Sequence, residues 1–105
     1  MNPIAETPKP PYYAVIFTSL RTNGDNDYAK MAERMVELAQ SQKGFLGMES
    51  VRDGLGVTIS YWETEEDIIN WKNHSEHLLA QSLGKELWYT SFKVRVCKVE
   101  RDYGF

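Results

Sequence analysis

Residues 12–20, YYAVIFTSL, are apolar on both sides of a two-residue alternation. Tyr13, Val15 and Phe17 fall on one face, and Ala14, Ile16 and Leu20 on the other. Aromatic and β-branched residues crowded in this way predict a strand. Over 27–42 the period changes. Tyr28, Met31, Ala32, Met35, Leu38 and Ala39 form one apolar stripe at helical spacing, with Lys30, Glu33, Arg34 and Glu37 mostly off it. TNGDND, at 22–27, supplies loop chemistry and a helix cap, and Gly44 is placed to stop the helix. Residues 45–53 and 57–62 predict two more strands joined at Asp53-Gly54, a pair that favours a tight hairpin.

Thr64-Glu65-Glu66-Asp67 then reads as a capping-box-like helix start, with acids on the positive end of the dipole. That helix carries Ile68, Ile69 and Trp71. A break is expected at 73–75, with Ser75 capping a second short helix that ends at Gly84. Residues 87–100 predict a long last strand. Phe92, Val94 and Val96 take one face, and Tyr89, Arg95, Cys97 and Val99 the other.

The order is strand, helix, strand, strand, helix, strand. It predicts an α+β fold, a ferredoxin-like βαββαβ antiparallel sheet with both helices on one face. Two helices cover only one face of such a sheet, yet the first and last strands are apolar on both. The cheapest cover for the second face is another copy of the chain. A homodimer through the open sheet face is therefore expected, with the last strand closing an edge across the interface. Residues 1–11, rich in proline near their end, predict a flexible lead-in, and 12–105 a single domain.

Composition narrows the function classes. The 105 residues carry a net charge of −3 with no basic patch, so nucleic acid is not an expected partner. No apolar run approaches the roughly 20 residues of a membrane span, so no membrane is expected either. The lone Cys97 cannot close an internal disulfide, which fits a cytoplasmic protein. On a strand beside Arg95 and Lys98, that thiol reads as a small core or interface residue rather than a nucleophile. No Gly-rich loop leads from a strand into a helix, so no phosphate or dinucleotide cradle is expected.

The remaining chemistry is crowded into 60–89, SYWETEEDIINWKNHSEHLLAQSLGKELWY, which holds Trp62, Trp71, Trp88, His74 and His77. His74 and His77 are three apart and on a continuous helix would share a face with Trp71. A metal would need further ligands at fixed places, which the sequence does not offer, so no metal is expected. A histidine that titrates near neutral pH needs only one substrate proton within reach, and a proton acceptor is the better reading. The tryptophans serve either as packing residues or as the wall of an aromatic pocket able to stack a flat organic ligand.

This run, with the upstream GFLGMESVRDGLGVTISYW and the downstream TSFKVRVCKVERDYGF, resembles the antibiotic biosynthesis monooxygenase domain over about residues 12–103. The resemblance implies a dimeric α/β barrel. It also implies a cofactor-independent monooxygenase that oxidises a small aromatic or polyphenolic substrate with O2 in an apolar cavity. Haem-degrading members use an Asn on the first strand, a Trp on the second helix and a His about ten residues later. Trp71 matches the Trp, but Gln81 stands where the His would be and the first strand has no Asn, which weighs against haem. In the subgroup most like this chain the pattern is Trp71, Glu76, His77, Ala80, Gln81, Gly84, Trp88 and Tyr89. The resemblance thus nominates His77 as the catalytic residue, with His74 as the alternative. Trp71, Trp62, Phe17, Tyr61 and Phe92 would bind the substrate. The alternative function is a non-catalytic or structural dimeric module, its cavity holding a small hydrophobic ligand or packed shut by Tyr13, Phe17, Tyr61 and Phe92.

Overall fold

A computed structural model describes residues 3–81 and 87–105, with side chains described as far as residue 76 in the second helix. The elements are β1 (Tyr12–Arg21), α1 (Tyr28–Gln40), β2 (Phe45–Asp53), β3 (Leu55–Trp62), α2 (Glu65–Gln81) and β4 (Tyr89–Val99). They form one antiparallel sheet in the order β2-β3-β1-β4. This is the expected ferredoxin-like α+β arrangement.

The pairing fixes which residues share a face. Trp62 stands opposite Tyr13, Ser60 opposite Val15, Thr58 opposite Phe17 and Gly56 opposite Ser19. These positions line the helix side, because Trp62 stacks on Trp71 of α2. Across β1 the same rows continue into Lys98, Val96, Val94 and Phe92 of β4. The alternate positions of β1, Tyr12 to Leu20 by twos, face the open side with Tyr61, Ile59, Val57 and Leu55. The core is small: Tyr12, Ala14, Ala39, Trp62, Ile68 and Trp88 are its buried apolar side chains among the described residues.

Several local expectations need correction. The second helix is continuous through 73–75, because Ser75 Oγ donates to the Lys72 carbonyl (3.1 Å) within the helix and caps nothing. The expected end of a second short helix at Gly84 lies outside the described residues. Asp27 occupies the α1 cap position in a left-handed conformation without a side-chain bond. The capping carboxylate is that of Asp25, which accepts from the Ala29 N–H at 3.2 Å. α1 stops at Gln40, before Gly44, where Ser41 Oγ and Gln42 Nε2 both donate to the Leu38 carbonyl (2.8 and 3.2 Å). Tyr89 is not on the face with Arg95. A register shift pairs Leu20 with Ser91 but Arg21 with Tyr89, so Thr90 is the extra residue. The bulge turns the Tyr89 ring to the helix side, against Phe17 and Phe92.

The hairpin follows the expected chemistry. Asp53 pairs directly with Leu55, and Gly54 between them has φ 78°, a value glycine adopts at no steric cost.

Part of the lead-in lies against the open face. The Ala5 N–H donates to Glu49 Oε2 (3.0 Å), and Thr7 Oγ1 donates to the Tyr12 hydroxyl (2.9 Å). The Tyr12 hydroxyl in turn donates to Asp102 Oδ2 (2.5 Å), so both chain ends meet there.

Candidate functional site

The candidate site is built on the helix side, where β3 ends and α2 begins. Thr64 and Asp67 form the cap of α2: the Asp67 N–H donates to Thr64 Oγ1 (3.1 Å) and Thr64 Oγ1 to Asp67 Oδ2 (2.8 Å). The reciprocal bonds fix the phase of the helix and so decide that Trp71 faces the sheet. Trp71 stacks on Trp62 at 6.0 Å and 25°. Trp62 is fully buried, receives the edge of Phe45 at 5.4 Å, and donates its Nε1–H to Ser60 Oγ (2.9 Å). Trp62 is therefore engaged in packing, while Trp71 is only half-buried. His74, one turn on and exposed, tilts against Trp71 at 5.9 Å. The side chain of His77 lies outside the described residues.

Phe17 and Phe92 are brought together at 5.3 Å, but farther along the floor. Phe17 is two rows, about 13 Å of strand, from the Tyr13–Trp62 row. Between them the floor is Val15 and Val96, with Val94 beside Phe17, and Val94 and Val96 are 48 and 52% exposed at the open β4 edge. Tyr61 does not join this site. The pleat sends it to the opposite face, where its hydroxyl donates to Glu49 Oε1 (2.6 Å) and its ring meets Tyr12 edge-on at 5.9 Å. Burial first, and the bond to Glu49 second, push its pKa up.

Four residues at the Phe17 end carry chemistry that sequence reasoning missed. Tyr89 is hydrogen-bonded to Tyr28, and burial followed by that bond pushes its pKa up, with nearby Arg52 and Arg21 pulling the other way. Tyr28 lies beneath the Arg21 guanidinium at 3.4 Å. Arg52 reaches Ser19 across the sheet, its Nη2 donating to Ser19 Oγ at 2.6 Å. No alternation pattern reveals a bulge, so Tyr89 was not findable; Arg52 on the Ser50 face of β2 was.

Two open hollows lie elsewhere. One of about 340 Å³ sits at the start of α1 beside Trp88, and one of about 350 Å³ lies between the chain ends on the open face. Among the described residues no group of three or more His, Cys, Asp or Glu is placed to hold a metal ion. No described helix is long and apolar enough to cross a membrane.

The antibiotic biosynthesis monooxygenase family model matches residues 11–83. The chain is 52% identical over 104 residues to the uncharacterized protein YqjZ of Bacillus subtilis, covering 97% of this chain and 91% of that protein. Among solved structures it is similar to SnoaB, a cofactor-independent oxygenase from Streptomyces nogalater, with a TM-score of 0.72 at 11% identity over 89% of this chain and 97% of that one. It is also similar to a MhuD variant with two manganese protoporphyrin IX groups per active site, with a TM-score of 0.64 at 19% identity over 89% and 99% of the two chains. At such identities the two structures establish the shared fold alone. With this helix-backed sheet and this family match, the chain belongs to the antibiotic biosynthesis monooxygenase family.

Proposed function

We propose that the protein is a monooxygenase that oxidises a small aromatic or polyphenolic substrate with O2 and no bound cofactor. The observation that carries this reading is the apolar helix-side floor of Val15, Phe17, Val94 and Val96, bounded by the Trp71 ring with His74 one turn beyond. A flat substrate stacks there as aromatic rings do in apolar pockets. His77, or His74 in its place, accepts the phenolic proton. The resulting anion gives an electron to O2, and the two radicals join at a ring carbon. One oxygen atom stays on that carbon, and the other leaves as water with the displaced hydrogens, so a phenol becomes a quinone and the substrate supplies every electron. Apolar walls protect the anion from reprotonation.

The enzyme works as a homodimer. Leu20, Val51 and Leu55 on the open face are 45, 67 and 52% exposed, a surface that a second copy covers. On that face Glu49 and Asp53 lie on β2 at one edge, and Lys93 and Arg95 on β4 at the other. A two-fold axis parallel to the strands sets the acidic edge of each copy over the basic edge of the other. Cys97, exposed on the same face, is then an interface thiol in a reducing cytoplasm.

Oxygen uptake by the purified protein with an anthrone- or quinol-type substrate tests the reading. A rate unchanged in His77→Ala overturns the role of His77, and one also unchanged in His74→Ala overturns histidine base catalysis. The hollow beside Trp88, lined in part by Met31 and Leu87 and lying away from Trp71 and His74, favours as a second reading a non-catalytic module that binds a small hydrophobic ligand. Ligand binding without oxygen uptake selects it. A Soret shift on haem titration selects the haem branch instead.

A further inference from the structure

We propose that Arg52 receives a carboxylate carried by the aromatic ligand, so that the natural ligand of the helix-side floor is a hydroxylated aromatic acid. The proposal rests on the reading of that floor as the substrate site. Arg52, Gly56, Ser19 and Phe92 form one row across the four strands. The guanidinium lies flat over Gly56, where any Cβ would overlap it, so glycine at 56 leaves the channel along which Arg52 reaches the sheet centre. Its bonds run to Ser19 Oγ (2.6 Å), the Ser19 carbonyl (3.3 Å) and the Gly54 carbonyl (3.5 Å). All three acceptors are neutral. Among the described residues no carboxylate comes within ion-pair distance of it, and the ion pair found there is Arg34–Glu37 on α1.

A second cation sits at the same end. Arg21 donates to the carbonyls of Trp88, Gly24 and Asp25 and covers the Tyr28 ring. In that loop, the Asp25 carboxylate is engaged on the Ala29 N–H. Among the described residues, the two guanidiniums therefore meet neutral partners near Tyr89, whose ring lies against Phe17 and Phe92. Arg52 is exposed and Arg21 part-buried, so each guanidinium is open to an anion arriving from solvent while its other donors stay on neutral acceptors. A planar carboxylate matches the donor geometry of a guanidinium, and the adjoining Phe17–Val94 row offers the rest of the ligand an apolar surface.

The length of the site agrees. From the Trp62 row to the Arg52 row is six residues of strand, about 20 Å. α2 joins the end of β3 to the start of β4, so it runs from the Trp62 end toward the Arg52 end. His77 is six residues past Trp71, about 9 Å along that path. About 10 Å then separates the level of His77 from that of Arg52, the length of a two-ring aromatic acid.

Isothermal titration calorimetry with 6-hydroxy-2-naphthoate, whose hydroxyl and carboxylate stand at opposite ends of the two rings, and with 2-naphthol, which lacks only the carboxylate, tests this. At low salt the acid is expected to bind about tenfold more tightly. Arg52→Met brings the ratio of the two affinities toward one, and on the unaltered protein 0.5 M salt does the same. Equal affinities, or a preference that survives both changes, overturn the proposal. If Arg52→Met loses its fold by circular dichroism, the salt titration decides alone. Binding of neither probe overturns this proposal together with the substrate-site reading. Selective binding of the acid without oxygen uptake supports the carboxylate site and overturns only the oxygenase reading.

Discussion

Trp62, the last residue of β3, stacks on Trp71 in the second turn of α2 at 6.0 Å. The two residues differ in exposure, and this separates their roles. Trp62→Ala leaves a void in a small core and is expected to cost about 3–5 kcal/mol, read from urea unfolding. Trp71→Ala removes a half-buried ring and costs less stability. It is expected to lose aromatic ligand binding more than tenfold, because stacking surface is lost. A Trp71→Ala protein that binds 2-naphthol as well as the unaltered chain would remove Trp71 from the site.

Gly44 has φ 83°, and a Cβ there would overlap the buried carboxylate of Asp67. The Gly44 carbonyl also accepts from the Glu63 N–H (2.8 Å), so the entry to β2 is clamped to the start of α2. Gly44→Ala combines a left-handed backbone penalty with that overlap. A loss of at least about 2 kcal/mol is expected, against under about 0.5 for an alanine at exposed Glu33. Thermal unfolding of the two variants side by side makes the comparison. Equal melting temperatures would show that the clamp does not hold α2.

Tyr61 and Tyr12 both carry pKa values raised by burial first and by their bonds to Glu49 and Asp102 second. A raised pKa means that the folded state holds the phenolic proton more tightly than the unfolded state. That stability is fully present below the unfolded value near 10 and is lost as pH climbs toward the folded values. Unfolding free energy is therefore expected to fall with rising pH above about 10. Tyr61→Phe should make that fall shallower, and an unchanged slope in Tyr61→Phe would be evidence against the assignment.

Val51 stands 67% exposed on the open face, with Leu20 and Leu55 on the same side. A charge at that position is costly only if the face is covered. Val51→Glu is expected to shift the protein from dimer to monomer in analytical ultracentrifugation while circular dichroism stays unchanged. An unaltered chain that sediments as a monomer at micromolar concentration would exclude the sheet-to-sheet dimer.

The order of elements and the faces of β1 followed from the two periodicities alone, because each apolar stripe needs one cover. Asp53-Gly54 marked the hairpin through a backbone preference that needs no tertiary partner. The helix break at 73–75 was misread because a mid-helix Ser75 satisfies its hydroxyl on the preceding turn, a local bond that looks in sequence like a cap. Within the candidate site, the Trp71–His74 face was legible from helical spacing. The exclusion of Tyr61 follows from its odd step from Trp62, once Trp62 is known to face the helices.

By itself, the sequence determined the ferredoxin-like fold, the stripes that bury it and the aromatic character of the second helix. Periodicity and turn chemistry are local properties and survive without partners. Tertiary structure alone decided that Trp62 is consumed by packing while Trp71 remains half-buried. It also decided that a bulge at Thr90 turns Tyr89 inward and that Arg52 lies across Gly56, with no carboxylate among the described residues at ion-pair distance. Each of these depends on the register of one strand against another, which no single segment encodes.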